Sequence, residues 1–557
     1  MSTSLLRRFK AALIDMDGVL YDSMPGHTLA WKRMMDDLGV KCTLEEFYLY
    51  EGMTGVATID MLLHRELGHG CTPDEARDLY AVKSRYFQEW GAPALMPGAS
   101  AMLSALGEAG LRRVLVTGSG QKSLLGTLDR DYPGIFDEGM RITANDVTHG
   151  KPDPEPYLKG AERAGVTPAE ALVIENAPLG VRAGKAAGCF TIAVTTGPIP
   201  RHEFEREGAD MIFDSMPAFA DFLAFQLRMD RISDSIKPDM ILALTDTNVL
   251  ERSGMDFSFA DDVLALDGAR GKKDIDALCG VWRWLASKGA TRRSLLVNVG
   301  GGTVSDLGGL AATTYKRGID YVNVPTTLLA VADASIGGKT AVNFDGVKNL
   351  IGAFAMPRDV IVLPSLLDSL PHEEMVSGFA EVVKMALLTD NGIYGRLAER
   401  DAMTDRGLLT DAMRHAADSK KDIVALDPKE SGLRRILNLG HTAGHAFEAY
   451  AEAIGHKVSH GEAVAHGLRV ALRLSAEMVG FPREEADRYD RAFINRYYGQ
   501  LPVGTEAIDR LIELMRLDKK NPSADVISFV LLRDIGVPVE AVPVDIPLLR
   551  NALAETL

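Results

Sequence analysis

Short apolar runs, each ending in a carboxylate, threonine or glycine and each followed by a helical stretch, recur in two separate blocks of this sequence. In the first block they are KAALID (10–15), RRVLVTG (112–118), ALVIEN (171–176) and FTIAVTTG (190–197). In the second they are MILALTD (240–246), SLLVNVGGG (294–302) and YVNVPTT (321–327). Such runs read as buried parallel strands, because a strand covered by helices on both faces has no polar side. Each block is thereby restricted to an open α/β sheet, whose ligands gather beyond the carboxyl ends of the strands. Residues 24–90 interrupt the first block with patterns such as TLAWKRMMDDLG, a helical insertion after the first strand. From about 365 onward the pattern is nearly all helix.

A chain of 557 residues is too long for one hydrophobic core. The expected domains are residues 1–226, with a helical cap over about 23–95, then an α/β domain over 239–364 and a helical domain over 365–557. A linker is expected at 227–238, where QLRMDRISDSIKP turns polar and ends in proline. The net charge of -16 argues against a nucleic-acid or membrane partner. Cys42, Cys71, Cys189 and Cys279 lack CxxC spacing and read as reduced thiols. MSTSLLRRFKAALID holds no apolar signal core, and no uncharged apolar run reaches bilayer length, so the expected location is the cytoplasm.

In DMDGVLYDS, Asp15 and Asp17 sit at the end of the first strand. One carboxylate can attack phosphorus while the other moves the proton of the leaving group. Later strand ends add Thr117 and Gly118, the cation Lys151 in HGKPDPEPY, and Glu175 with Asn176 in VIENAPLGV, hard oxygens suited to Mg2+. A lone DxD is usually a turn or helix cap; four such elements in order on successive strand ends are not. Together they resemble the haloacid dehalogenase superfamily, in the subgroup with a cap after the first strand, over roughly residues 8–222. The resemblance implies a doubly wound, Rossmann-like domain with Asp15 as nucleophile and Asp17 as acid/base. It places Mg2+ among Asp15, the Asp17 carbonyl, Glu175 and Asn176, with Thr117 and Lys151 at the phosphate. His27 and Trp31 match the start of the cap in β-phosphoglucomutase-like members, but Gly55 stands where mutases carry an arginine for a second phosphate. A phosphatase is therefore expected. Asn176 replaces the commoner aspartate, which removes one charge from the metal site.

In the second block, Gly300, Gly301 and Gly302 follow a strand and open a helix, as a backbone approaching a pyrophosphate requires. PTTLLAVADASIGGKTAVNFDGVKN then carries Thr326, Thr327, Asp333, Lys339, Lys348 and Asn349 within one apolar stretch. In SGFAEVVK, Glu381 and Lys384 share a helical face. His441 and His445 in HTAGH have the i, i+4 spacing of paired ligands, but the glutamate of HExxH is absent; His460 in SHGE is a further ligand candidate. One such histidine alone is most often a helix-end or core residue. A Glu/His/His set instead leaves coordination positions open for substrate, as catalytic zinc requires.

In order and spacing these segments resemble 3-dehydroquinate synthase over about 240–535. The resemblance implies an NAD-binding α/β domain followed by an all-helical metal-binding domain, and Zn2+ or Co2+ on Glu381, His441 and His460. It assigns Asp246, Lys272, Gly301, Gly302, Asp306, Thr326 and Thr327 to NAD, although Ala269 stands where a glutamate is usual near the ribose. Around the substrate it places Asp333, Lys339, Lys348, Asn349, Lys384, Lys420, Arg434, Asn438 and His445, with Lys519 or Lys520 as one more cation. Lys339, Lys384 and His445 are among the catalytic residues it implies. Arg317 is expected to reach a neighbouring subunit's phosphate site, so a homodimer is implied. The implied reaction turns 3-deoxy-D-arabino-heptulosonate 7-phosphate into 3-dehydroquinate and phosphate, with no net redox change. A related cyclase of sedoheptulose 7-phosphate is the first alternative; its substrate lacks a carboxylate, and the presence of Arg434, Asn438 and His445 argues for the sugar acid, with the carboxylate on Arg434 near Lys420 and the phosphate among Arg317, Lys339, Lys384 and His445. A metal-dependent alcohol dehydrogenase shares the GGG layout but not the lysine-rich pocket.

Overall fold

KAALID forms the strand Ala11–Ile14 inside a six-stranded sheet. The computed structural model describes residues 5–118, 122–267, 273–390, 392–516 and 527–557, and the chain divides into two compact units between Ser235 and Ile236. In the first unit the strand order is Arg141–Ile142, Arg112–Val116, Ala11–Ile14, Ala171–Glu175, Phe190–Val194 and Met211–Phe213, with every neighbour parallel. Ile14 lies between Leu115 and Ile174, so Asp15, Thr117 and Glu175 emerge side by side from three adjacent strand ends. The central strand is fully buried on both faces, which is why it carries AALI with no alternation.

The cap consists of helices Met24–Asp37, Leu44–Leu49, Gly55–Leu67 and Pro73–Trp90 around a core of its own, including Met34, Met35, Phe47, Ile59 and Leu62. Capping boxes Thr43/Glu46 and Thr72/Glu75 start the second and fourth helices. Part of the expected linker is a correction: residues 227–236 are the last turns of helix Met216–Ile236. Their polar side chains form the helix's outer face, where Arg7 pairs with Asp230 and Asp234, and Arg231 pairs with Glu108. Phe219, Leu223 and Met229 supply its buried stripe.

The second unit holds four parallel strands in the order Asp262–Leu266, Ile241–Asp246, Leu295–Gly300 and Asp320–Pro325. Asp262–Leu266, which the strand pattern above leaves out, is a half-buried edge strand. An antiparallel hairpin, Lys339–Phe344 with Val347–Phe354, follows the sheet. The part beyond 365 is built on helices His372–Thr389, Arg406–Leu426, His441–Ala453 and His460–Met478. It also contains a second hairpin, Ile527–Asp534 with Val537–Val544, that helical spacing does not reveal. Ile527, Phe529 and Leu531 of that hairpin bury themselves against Val470 and Leu474.

Residues Ser377–Leu388 of the first of these helices are buried all round, which takes Glu381 and Lys384 out of water. Glycines allow the neighbouring helix to come this close. A Cβ on Gly461 would lie 1.7 Å from the Ser377 carbonyl oxygen, and one on Gly467 would lie 1.9 Å from that of Gly440. No helix among the described residues is long and apolar enough to cross a membrane.

Candidate active sites

In the first unit the strand ends converge on one ammonium group. Lys151 donates to Asp15 and to Glu175, and the Tyr157 hydroxyl donates to the same Glu175 oxygen. Burial pushes the Asp15 carboxyl above the ordinary range; Lys151 opposes the shift, while Glu175 and Asp17 add to it. Asp17 accepts from Ser23 Oγ at 2.6 Å and faces His27 Nε2 at 3.2 Å. Lys83 Nζ lies 2.6 Å from His27 Nδ1. An ammonium can only donate, so Nδ1 accepts and Nε2 carries the proton directed at Asp17. Burial alone would raise Asp17, but the His27 contact and the Ser23 hydroxyl bring it down to about 2.

Asn176 lies against the DMDG turn, where a Cβ on Gly18 would meet its side chain. Its Oδ1 is buried without a hydrogen-bond partner, while its Nδ2 donates to both oxygens of Glu51 at 3.1 Å. An orphaned oxygen beside a site that holds the buried carboxylates of Asp15 and Glu175 fits a hard cation such as Mg2+. Glu51 is a cap residue that the motifs do not reveal, because its contact with Asn176 spans 125 positions. Tyr80 fills the space beside Gly55: a Cβ there would fall 2.2 Å from the ring, leaving no room for a longer side chain. Thr117 is buried at its strand end, its backbone N–H bonded to Ile142. Trp31 lines the same cleft together with His27 and Gly118.

In the second unit, helix Gly302–Thr314 starts from Gly301, which has no side chain to cap it. Its first-turn N–H groups are therefore left for an external acceptor. A Cβ on Gly301 would come within 3.0 Å of Thr327, and Thr326 closes the loop by donating its N–H to Gly300. This bare, close-packed helix start fits a pyrophosphate. Asp306 pairs at 2.6 Å with Lys273, which also donates to Asn349. Lys273 is missed by motif reasoning, which points to its neighbour Lys272. Lys272, Ala269, Lys519 and Lys520 lie outside the described residues. Asp246 uses Oδ1 to cap the next helix at Val249.

Glu381, His441 and His460 come from three different helices, yet their ligand atoms lie within 4.8 Å of one another. Glu381 Oε1 is 3.4 Å from His441 Nε2 and 3.5 Å from His460 Nε2. Glu381 is 0% exposed, and neither of its oxygens has a hydrogen-bond partner, although Lys384 lies in ion-pair contact with Oε2. Burial pushes this carboxyl up, but the Lys384 ammonium and His441 bring it down to about 2. The far side of each imidazole is anchored. His441 Nδ1 faces the Leu439 carbonyl at 3.2 Å, and His460 Nδ1 faces Glu448 at 3.4 Å. Burial lowers His460, yet its contacts with Glu381 and Glu448 raise it to about 10. A buried carboxylate without hydrogen bonds, facing two oriented imidazoles, fits a divalent zinc-like ion.

The surrounding cations are held in place by the chain's own acids. Lys420 donates to Asp333, and Lys384 lies 3.9 Å from that carboxylate. Burial raises the Asp333 carboxyl, but these two ammonium groups take it well below the carboxylate range. Arg434 is buried and donates to the Pro428 carbonyl at 2.8 Å. Lys339 and Asn438 both meet Glu430, and Lys348 pairs at 2.8 Å with Glu448. His445 is exposed, its ring centroid 5.4 Å from that of His441. Arg317 is exposed in the turn Tyr315–Arg317 and is not hydrogen-bonded to the cluster. Of the residues that motifs miss here, Glu448 has a readable signal: it stands seven positions after His441, on the same helical face. Glu430 has none.

Comparison with known proteins gives three family matches: 3-dehydroquinate synthase N-terminal over residues 263–377, 3-dehydroquinate synthase C-terminal over 378–521, and haloacid dehalogenase-like hydrolase over 9–188. The 3-dehydroquinate synthase of Parabacteroides distasonis is 38% identical over 311 residues, covering 54% of this chain and 87% of that protein. The 3-dehydroquinate synthase of Thermococcus kodakarensis is 39% identical, covering 58% of this chain and 91% of its own. Among solved structures, the 2-epi-5-epi-valiolone synthase of Streptomyces hygroscopicus subsp. jinggangensis, with NAD+ and Zn2+ bound, superposes with a TM-score of 0.51 at 23% identity. It covers 58% of this chain and 92% of that one, a likeness of fold.

Proposed function

The chain belongs to the 3-dehydroquinate synthase family and carries a haloacid dehalogenase-like hydrolase domain ahead of that part, and from this premise we propose that it is a two-activity enzyme. Its second unit converts 3-deoxy-D-arabino-heptulosonate 7-phosphate into 3-dehydroquinate and phosphate, a step of the shikimate pathway. Its first unit is a Mg2+-dependent phosphatase acting on another phosphorylated small molecule, since the cyclase releases phosphate without help.

The observation that carries the reading is the convergence of Glu381, His441 and His460 beside Lys384, Asp333 and Lys420. Bound there, a divalent metal would supply Lewis acidity and NAD a reversible hydride acceptor. The chain's own residues do the rest. Arg434, with Lys420 nearby, provides donors for the substrate carboxylate, a planar guanidinium being the best match for it. Lys339, Lys384 and His445 provide positive charge for the phosphate. Asp333, held as a carboxylate by Lys420 and Lys384, can accept from a substrate hydroxyl. Arg434 favours the sugar acid over sedoheptulose 7-phosphate, which carries no carboxylate. We further propose a cytoplasmic homodimer in which the exposed Arg317 reaches the partner's phosphate site.

In the first unit Asp15 attacks phosphorus and Asp17 handles the proton of the leaving oxygen, with Lys151 countering charge on the phosphoryl group. The test is one assay on the whole chain with NAD and Zn2+ or Co2+. Appearance of 3-dehydroquinate supports the reading. Turnover of sedoheptulose 7-phosphate instead, or net accumulation of NADH, would replace it.

A further inference from the structure

Lys151 has every N–H of its ammonium group engaged. Such a group carries three donors. Here they go to Asp15 Oδ1, to Glu175 Oε1 and, at 3.2 Å, to the Val116 carbonyl. The side chain is 1% exposed, so solvent supplies no substitute partner. A lysine that is to donate to a phosphoryl oxygen must first let go of one of these acceptors.

Glu175 is the acceptor prepared for release. Its Oε1 also accepts from the Tyr157 hydroxyl, a second side-chain donor on the very oxygen that the ammonium uses. Its Oε2 accepts from the backbone N–H groups of Asn176 at 3.0 Å and Ala177 at 3.3 Å, which keeps the carboxylate from turning away. A Cβ on Gly180 would fall 1.9 Å from Oε1, so this oxygen occupies space that a glycine leaves open. Tyr157 stands in the first turn of helix Glu155–Ala164, fully buried in one apolar cluster with Leu13, Val116 and Val173. Its ring centroid is 5.1 Å from Lys151 Nζ. A phenylalanine would pack there equally well, yet the chain places a hydroxyl on Glu175, in a position where a polar group needs a partner.

Resting on the phosphatase reading of the first unit, we propose that Tyr157 is a positioning residue that lets Lys151 change partners. When a phosphoryl group arrives at Asp15, Lys151 turns one N–H from Glu175 to a phosphoryl oxygen. The Tyr157 hydroxyl keeps Glu175 Oε1 hydrogen-bonded meanwhile. No buried carboxylate oxygen is left bare, so the exchange costs little. Without the hydroxyl, Lys151 is the sole side-chain donor on that oxygen and is held there.

The test compares Y157F, K151M and the double variant with the unaltered full chain, all with Mg2+, on p-nitrophenyl phosphate. Y157F should lower kcat/KM about tenfold, the scale of one charge-assisted hydrogen bond diverted from the substrate. Added to K151M, the same change should cost less than about twofold, because Tyr157 acts through that ammonium. The affinity for inorganic phosphate, measured calorimetrically, should follow the same pattern; where K151M leaves no turnover or does not fold, the affinities of Y157F and the unaltered chain decide. Full activity and full phosphate affinity in Y157F would make the hydroxyl a passenger and overturn the proposal. A loss that multiplies with that of K151M would overturn it too, by showing that Tyr157 acts independently of the ammonium. If the unaltered chain does not hydrolyse the ester, the phosphatase reading fails on this probe, and phosphate affinity judges Tyr157 by itself: equal affinity in Y157F and the unaltered chain, or binding by neither, rejects the exchange.

Discussion

Asp15 and Glu175 share the Lys151 ammonium, so the charge at the first site is largely met by the chain itself. Glu381 is buried as deeply and pairs with Lys384 on one side, yet both of its oxygens lack a hydrogen bond and one faces two imidazoles. The first site draws its groups from adjacent ends of one parallel sheet, which bring them together as soon as the strands pair. The second draws Glu381, His441 and His460 from three helices, and only the packing of those helices makes the site. A sheet-end site inherits its geometry from backbone hydrogen bonds. A helix-bundle site depends on how closely the helices approach, and so on glycines that carry no chemistry.

The sharpest way to break this comparison is to disable each site in turn. Glu381→Ala should cost the cyclase about 10³-fold or more in kcat/KM while leaving phosphatase turnover intact, and Asp15→Asn should do the reverse. Paired assays on the same preparation check both; loss of both activities in either variant would show that the sites are not independent. Next in size is Gly461→Ala, whose Cβ would run into the Ser377 carbonyl. It should destabilise the second unit by about 3 kcal/mol, read as a lower midpoint in urea. The same midpoint as the unaltered chain would show that helix approach does not set this site.

Glu448→Gln acts more gently, since it weakens the anchor behind His460 and the pairing with Lys348 without removing a ligand. Zinc affinity should drop about 10- to 100-fold by calorimetric titration. Smallest is His27→Asn in the first unit. Without the His27 contact the Asp17 carboxyl should rise from about 2, so its charged form is lost at higher pH. The acid limb of the phosphatase pH profile should then move up by about one unit, with the alkaline limb in place.

The two alternating blocks sufficed for two α/β units, because a strand buried on both faces must be apolar throughout. Asp15, Asp17, Glu175 and Asn176 were legible for the same reason: strand ends are positions that a sequence displays. Glu381, His441 and His460 could be named through family likeness, but no spacing within the chain states that they meet. Local pattern also misread part of 227–238, since a polar helix face and a linker share a composition. Glu51, Lys273 and Glu430 were invisible. Each acts through a partner far away in sequence, and a carboxylate or ammonium on a loop looks like any other until its partner is known. The chain alone thus determined which elements form and which chemistries it carries, because these depend on periodicity and residue type. Which side chains share a buried charge was decided only by tertiary packing, since electrostatic contact depends on distances of a few ångströms that sequence separation does not encode.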